Sequence, residues 1–239
     1  MDERQMLLEG ASALGVALDE KQIEAFMLYK KLLLEWNEKM NLTAITDDIE
    51  VITKHFLDCL TINKALDMDK VNTLIDIGTG AGFPGLVIKI AFPHINITLV
   101  DSLKKRLNFL EEVINQLQLK KVTCIHARAE DLGKQKQYRE GFDVCASRAV
   151  AHLSVLSEYT IPFIKVGGYL IALKGQKLDE ELIQGKKAMD LLGAKLQEVV
   201  DAAVPFTDLC HSIAKIKKIR PTSLKYPRKA GEPSKAPLS

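Results

Sequence analysis

The chain has 239 residues, 47% hydrophobic and 27% charged, with 33 Lys and Arg against 31 Asp and Glu. This balance excludes a disordered or fibrous chain and leaves room for one main domain with an appended lobe. No run approaches the roughly 18 uncharged apolar residues of a membrane span, and Met1-Asp2-Glu3-Arg4 is not a signal peptide.

A cytoplasmic, monomeric protein that meets no membrane is therefore expected. Cys59, Cys124, Cys145 and Cys210 are scattered, without a C-x-x-C pair or metal-ligand spacing to the five histidines. No metal and no disulfide framework are expected, and the four read as small core residues. Residues 1–60 hold six Lys or Arg against twelve Asp or Glu, whereas residues 215–239 hold eight against the single Glu232.

From Glu3 to about Lys39 apolar residues recur at helical spacing, with Asp19 placed to cap a second helix. Asn41-Leu42-Thr43 breaks the pattern, and helical spacing resumes from Val51 to Ile62. Residues 1–66 are thus read as a helical lobe. From residue 67 short β-branched runs alternate with helices. Strands are expected at Thr73–Asp76, Asn96–Asp101, Val122–His126, Phe142–Ala146 and Tyr169–Leu173, and the segments Ala194–Val204 and Ser212–Ile219 suggest an antiparallel pair. This order specifies an α/β fold, a doubly wound and mostly parallel seven-stranded sheet with an antiparallel edge, over residues 67–220. Ligands of such sheets bind outside the carboxyl ends of the strands.

The first of those ends is Asp76-Ile77-Gly78-Thr79-Gly80-Ala81-Gly82-Phe83-Pro84-Gly85. Glycines there supply positive φ angles and let backbone approach a ligand. Gly80-x-Gly82-x-x-Gly85 followed by Asp101 fits the NAD fingerprint. Asp76 and the extra Gly78 favour S-adenosylmethionine instead, because a carboxylate attracts its ammonium and sulfonium and would repel a diphosphate. Asp76, Gly78, Gly80 and Gly82 are the candidate cofactor residues of the turn. Phe83 either covers the cofactor or packs beneath the loop.

Asp101 and Ser102 end the second strand, where the acid either bridges ribose hydroxyls or caps the following helix. Ala129 and Glu130 end the third and are candidates for the adenine edge. At the fourth, Phe142-Asp143-Val144-Cys145-Ala146-Ser147-Arg148-Ala149 contains no Asn-Pro-Pro-aromatic loop of the kind that activates an exocyclic amine. Cys145 lies inside the strand, an unfavourable place for a thiolate nucleophile. An acceptor with a free lone pair, such as guanine N7, requires only positioning and no general base. Arg148 then reads as an orienter of substrate or cofactor, or as a plain ion pair. His55 and Asp58, at i and i+3, read as packing and capping residues. In the tail, residues 221–239, Lys225, Arg228 and Lys229 with the interleaved Tyr226 suit an RNA backbone or a frayed terminus equally.

With Asn41-Leu42-Thr43, Lys54-His55-Phe56-Leu57-Asp58, the glycine run, Asp101-Ser102-Leu103-Lys104-Lys105-Arg106, Arg128-Ala129-Glu130, Ser147-Arg148-Ala149 and Lys225-Tyr226-Pro227-Arg228-Lys229-Ala230-Gly231, the chain closely resembles the RsmG (GidB) family over nearly its whole length. The resemblance implies a Rossmann-like methyltransferase fold, S-adenosylmethionine as donor, and N7 of a guanine in the decoding-region (530) loop of bacterial 16S ribosomal RNA as acceptor, on the RNA or the small subunit. It also implies that Gly78, Phe83, Ala129, Glu130 and Arg148 lie at the cofactor pocket. An RNA-binding assembly factor with a vestigial nucleotide fold is the competing expectation.

Overall fold

The structure, a computed structural model, describes residues 1–148, 151–175 and 178–238. Ala149 of the Ser147-Arg148-Ala149 run lies outside them.

Helix α1 (Glu3–Ala13) starts on Asp2, whose side chain accepts from Gln5 N. Helix α2 (Glu20–Met40) starts on a capping box, Asp19 accepting from Gln22 N while Gln22 Oε1 accepts from Asp19 N, each at 2.8 Å. Two otherwise unsatisfied helix-end donors are met in this way. The helix ends at Asn41, whose φ of 49° turns the chain away. Next come α3 (Asp48–Val51), a π-helical stretch at Ile52–Leu57, α4 (Asp58–Leu60) and α5 (Ile62–Ala65). The Lys30 ammonium, buried on α2, meets both Glu3 and Asp48 and so ties α1 and α3 to α2.

The α/β part runs β1 (Thr73–Ile77), α6 (Gly85–Ala91), β2 (Asn96–Asp101), α7 (Lys104–Gln116), β3 (Val122–His126), α8 (Ala129–Leu132), β4 (Phe142–Arg148), α9 (Leu153–Thr160), β5 (Ile164–Lys174), α10 (Leu178–Leu192), β6 (Ala194–Ala203), β7 (Cys210–Lys218) and a short α11 (Glu232–Lys235). The sheet order is β3-β2-β1-β4-β5-β7-β6. The first five strands pair in parallel, and β7 enters antiparallel between β5 and β6. The chain proceeds outward from β1 through β2 to β3, then crosses back to β4 on the other side. A switch point therefore opens at the carboxyl ends of β1 and β4.

Alternation along the strands divides the core. Leu74 faces one apolar cluster, with Leu99, Phe26, Tyr29 and Phe56; Ile75 faces the other, with Cys145, Leu156, Phe163 and Ile216. The helices of residues 1–65 thus share a core with one face of the sheet, while α9 and α10 cover the opposite face.

Three features depart from expectation. Strand β5 begins at Ile164, five residues earlier than expected, because Gly167 and Gly168 interrupt the apolar run and mask its start. Helix α10 is not anticipated, because Gly185 and Ala188 on its buried face weaken the apolar period; a Cβ on Gly185 would stand 3.2 Å from Leu153 Cγ. The cysteines are not all core residues. Cys59 and Cys145 are buried, Cys124 is half-buried, and Cys210 is exposed at the start of edge-hairpin strand β7.

Candidate active site

The turn after β1 is built by φ angles that glycine alone adopts without strain: +73° at Gly78, +61° at Gly80 and +100° at Gly82. The three do different things. Gly78 and Gly80 line a cavity of about 540 Å³ at the switch point. At Gly80 a Cβ would meet nothing closer than 4.0 Å, so the backbone is open to whatever enters. Gly82 lies outside the cavity lining, and a Cβ there would lie 2.6 Å from the Tyr29 hydroxyl. That hydroxyl donates to Ala81 O and supports the turn from α2.

Asp76 lies under the turn rather than in the cavity. It is fully buried; Oδ2 accepts from the Thr79 hydroxyl at 2.7 Å and from Gly85 N at 2.8 Å. Burial raises its carboxyl to about 6, against the opposing pull of those two hydrogen bonds. Its first structural task is to brace the loop against α6.

Asp101 does line the cavity. Its Oδ2 accepts from Gly80 N at 3.0 Å and from Arg106 Nη1 at 3.3 Å, and Oδ1 accepts from Leu103 N at 2.9 Å. A carboxylate offers about four lone-pair sites. Three are engaged, so a second new hydroxyl partner would have to displace the half-exposed Arg106. Ser102, Ala129 and Glu130 line the same cavity. Glu130 is 4% exposed, and its Oε1 accepts from Gly231 N of the tail at 2.8 Å.

Phe83 both packs and lines. Its ring stacks on the His55 imidazole with centroids 4.4 Å apart, and the Arg148 guanidinium carbon stands 4.8 Å from its centroid. Arg148 Nη1 donates to Lys54 O at 3.1 Å and to Asp58 Oδ2 at 2.8 Å, and Nη2 meets His55 Nδ1 at 3.0 Å. A guanidinium only donates, so Nδ1 is an acceptor and Nε2 bears the proton, directed at Thr43 Oγ1 at 2.8 Å. Burial, and then the Arg148 charge, lowers His55 to about 3, so the ring is neutral at physiological pH. The cluster contains no ready general base. Cys145 is fully buried, and burial raises its thiol far above the ordinary value, which leaves no thiolate nucleophile.

Leu42, Thr43, His55 and Asp58 are site residues that reasoning from residue types missed or treated as packing. The i, i+3 spacing of His55 and Asp58 puts them on one face, but nothing local shows that Arg148, 90 positions from Asp58, will lie between them.

The tail residues separate. Lys225 and Lys229 are exposed. Arg228 instead donates from Nε and Nη2 to the Glu158 carboxylate at distances of 2.6 to 3.1 Å, and Arg228 N adds a further bond at 2.7 Å. The Glu158 side chain is wholly buried. Arg139 fixes the approach to this clasp, donating to the carbonyls of Gly133, Thr222, Ser223 and Tyr226. Among the described residues no helix is long and apolar enough to cross a membrane.

This architecture has many relatives. The M. jannaschii TYW2 structure in complex with AdoMet superposes with a TM-score of 0.52 at 17% identity, covering 68% of this chain and 77% of that one. The Methanococcus jannaschii fibrillarin pre-rRNA processing protein gives 0.51 at 16%, covering 65% and 70%. At such identities the likeness establishes the fold alone, a Rossmann-like methyltransferase fold. Sequence relatives reach further. A protein of Acetivibrio thermocellus named ribosomal RNA small subunit methyltransferase G is 52% identical over 99% of this chain and 97% of its own length. Its namesake in Alkaliphilus oremlandii is 50% identical over the whole of both. The family described as GidB, rRNA small subunit methyltransferase G, matches residues 22–209. The chain belongs to this GidB family of small-subunit ribosomal RNA methyltransferases.

Proposed function

We propose that the protein methylates N7 of a guanine in the 530 loop of 16S ribosomal RNA with S-adenosylmethionine as donor, working as a cytoplasmic monomer on the RNA or the small subunit. The chain is organised for this as helices in residues 1–66, a methyltransferase domain in residues 67–220 and a basic tail from residue 221. The observation that carries the reading is the cavity at the β1/β4 switch point, walled by glycine backbone and by two carboxylates. Its volume of about 540 Å³ is that of a small-molecule site. The donor set suits a nucleoside bearing an amino acid. All six line the cavity: Gly78 and Gly80 can leave room for the methionine part, Asp101 and Ser102 can offer acceptors to ribose hydroxyls, and Ala129 and Glu130 can offer an amide and a carboxylate to an adenine edge. Asp76 places negative charge beneath this cradle, which favours the donor's cationic groups and disfavours a diphosphate.

S-adenosylmethionine supplies an electrophilic methyl group. The chain's own contribution is positioning. A purine N7 has a lone pair and loses no proton on methylation, which accords with a neutral His55, a buried Cys145 and a fixed guanidinium. Arg148, anchored by Asp58, Lys54 and His55, is oriented with little freedom left to lose, and its planar fork suits an oxygen of the acceptor. Lys225 and Lys229 are available for phosphates, and Arg228 acts by holding the segment that presents them.

The test is transfer of a labelled methyl group to small subunits from a strain lacking this activity, with mapping of the modified base. Label at N7 of a 530-loop guanine is expected. Binding of the RNA without transfer would identify an assembly factor instead, and thermal protection by NAD rather than by the methyl donor would identify an oxidoreductase.

A further inference from the structure

A second cavity of about 610 Å³ adjoins the first, and His55 and Arg148 form part of both linings. The new space is walled by Ile45, Leu173 and Leu209 on its apolar side, and by Lys54, Asp58 and His211 on its polar side. Asp58 is 4% exposed. Its Oδ2 is bound to Arg148, but Oδ1 is buried without a hydrogen bond. His211 Nε2 stands 3.3 Å from Oδ1, within ion-pair range yet not aligned to donate. A buried oxygen left half-satisfied is costly. An imidazole beside it, with a side chain 28% exposed, is placed to complete that bond when it is pressed into position.

We infer that this second cavity is the seat of the acceptor base, turned out of its RNA stack, and that His211, braced by Asp58, is the residue that reads the base. The inference rests on the methyl-transfer reading above and adds to it where the base lies and what recognises it. Chemistry on a base requires the base to leave its stack and enter a pocket. A pocket that adjoins the first cavity at His55 and Arg148 seats the acceptor next to the donor, where N7 can approach the methyl group past their edge. Ile45, Leu173 and Leu209 supply apolar surface for the flat faces of a purine. Because the Asp58 carboxylate only accepts, His211 must carry its proton on Nε2 to meet it. In the neutral ring Nδ1 is then an acceptor. An acceptor suits guanine, whose N1–H and N2 amino group donate, and opposes adenine, whose N1 accepts. With that edge held by His211, O6 is left to accept from Arg148, and the N7 lone pair stays free to face the donor's methyl group.

The test uses full-length protein and small subunits lacking the modification, with binding of S-adenosylhomocysteine followed by calorimetry. His211→Ala is expected to lower kcat/KM for the RNA at least tenfold, chiefly through KM, while the dissociation constant for S-adenosylhomocysteine stays within twofold of wild type. Leu209→Trp, at a position 38% exposed, fills the cavity from its rim and is expected to give the same split. Wild-type kinetics in either variant with intact donor-site binding would overturn this inference and leave the methyl-transfer reading standing. Loss of donor-site binding in both would also overturn it, because the residues would then belong to the donor cavity. If wild type itself binds no S-adenosylhomocysteine, the methyl-transfer reading falls, and this inference with it.

Discussion

At Gly78–Gly82 backbone angles shape the switch-point cavity, whereas Tyr226–Gly231 is held behind Glu130 and Glu158 through bonds that span 70 to 101 positions of sequence. The first region carries its instructions locally. Three positive φ angles need glycine whatever surrounds them, so the residue type itself announces the turn. The second region reads locally as a solvated basic terminus. Its conformation is decided by Glu158 and Glu130, which lie far back in the chain and are buried. A local constraint shows in composition; a clasp shows only when both halves are in view.

This contrast is most severely tested at Arg228. If the arginine is a clasp, Arg228→Ala strands the Glu158 carboxylate in the interior and should cost about 3 to 5 kcal/mol in urea unfolding. If it is an RNA-facing side chain, stability should barely change and only RNA affinity should fall. Gly82 and Gly80 sharpen the other half of the contrast. Gly82→Ala adds a Cβ at 2.6 Å from the Tyr29 hydroxyl in a left-handed conformation, and a loss of about 3 kcal/mol is expected. Gly80→Ala faces open space and should cost only about 1 kcal/mol. Its effect should appear instead in weakened binding of S-adenosylmethionine by calorimetry, and equal stability losses at the two sites would dissolve the distinction between supporting and ligand-facing glycines.

Titration separates the site further. His55 is depressed to about 3 in the folded chain from an ordinary value of 6.5, so its contribution is complete above about pH 6.5 and is lost as pH falls toward 3. Asp76 has the opposite sign. Raised from 3.8 to about 6, it contributes fully below 3.8 and loses that contribution as pH climbs through 6. Relative to wild type, His55→Gln should therefore flatten acid destabilisation between pH 6.5 and 4 by up to about 1.4 kcal/mol per unit. Asp76→Asn should steepen it between pH 6 and 4. Unfolding curves at several pH values would show both, and parallel slopes for all three proteins would contradict the burial argument. The smallest expected effect belongs to Lys225 and Lys229. Replacing both with Ala should leave stability unchanged and reduce the slope of log affinity for RNA against log salt by about 1 to 2.

The parts of the fold that were legible beforehand are those whose cause is local or periodic. The Asp19 cap of α2, the helical spacing after it and the short runs that pair in parallel all state their structure within a few residues. The place of the cavity was legible because strand ends converge on a switch point. The positions of Asp76 and Arg228 were not. A carboxylate next to a glycine turn has the same sequence whether it faces a ligand or, as here, braces the turn through Thr79 and Gly85. Nor does the spacing of His55 and Asp58 reveal that Arg148 will be held between them, because that contact depends on how the N-terminal helices dock on the sheet.

The bond from Gly231 N to Glu130 also imposes an order in time. Residues 226–231 are synthesised after every element they clamp, so while the chain is growing Glu130 and Glu158 lack the partners that the tail brings them. Glu130, which lines the cavity, thus receives its backbone partner last, so the docked tail and not the sheet alone fixes how that carboxylate is presented.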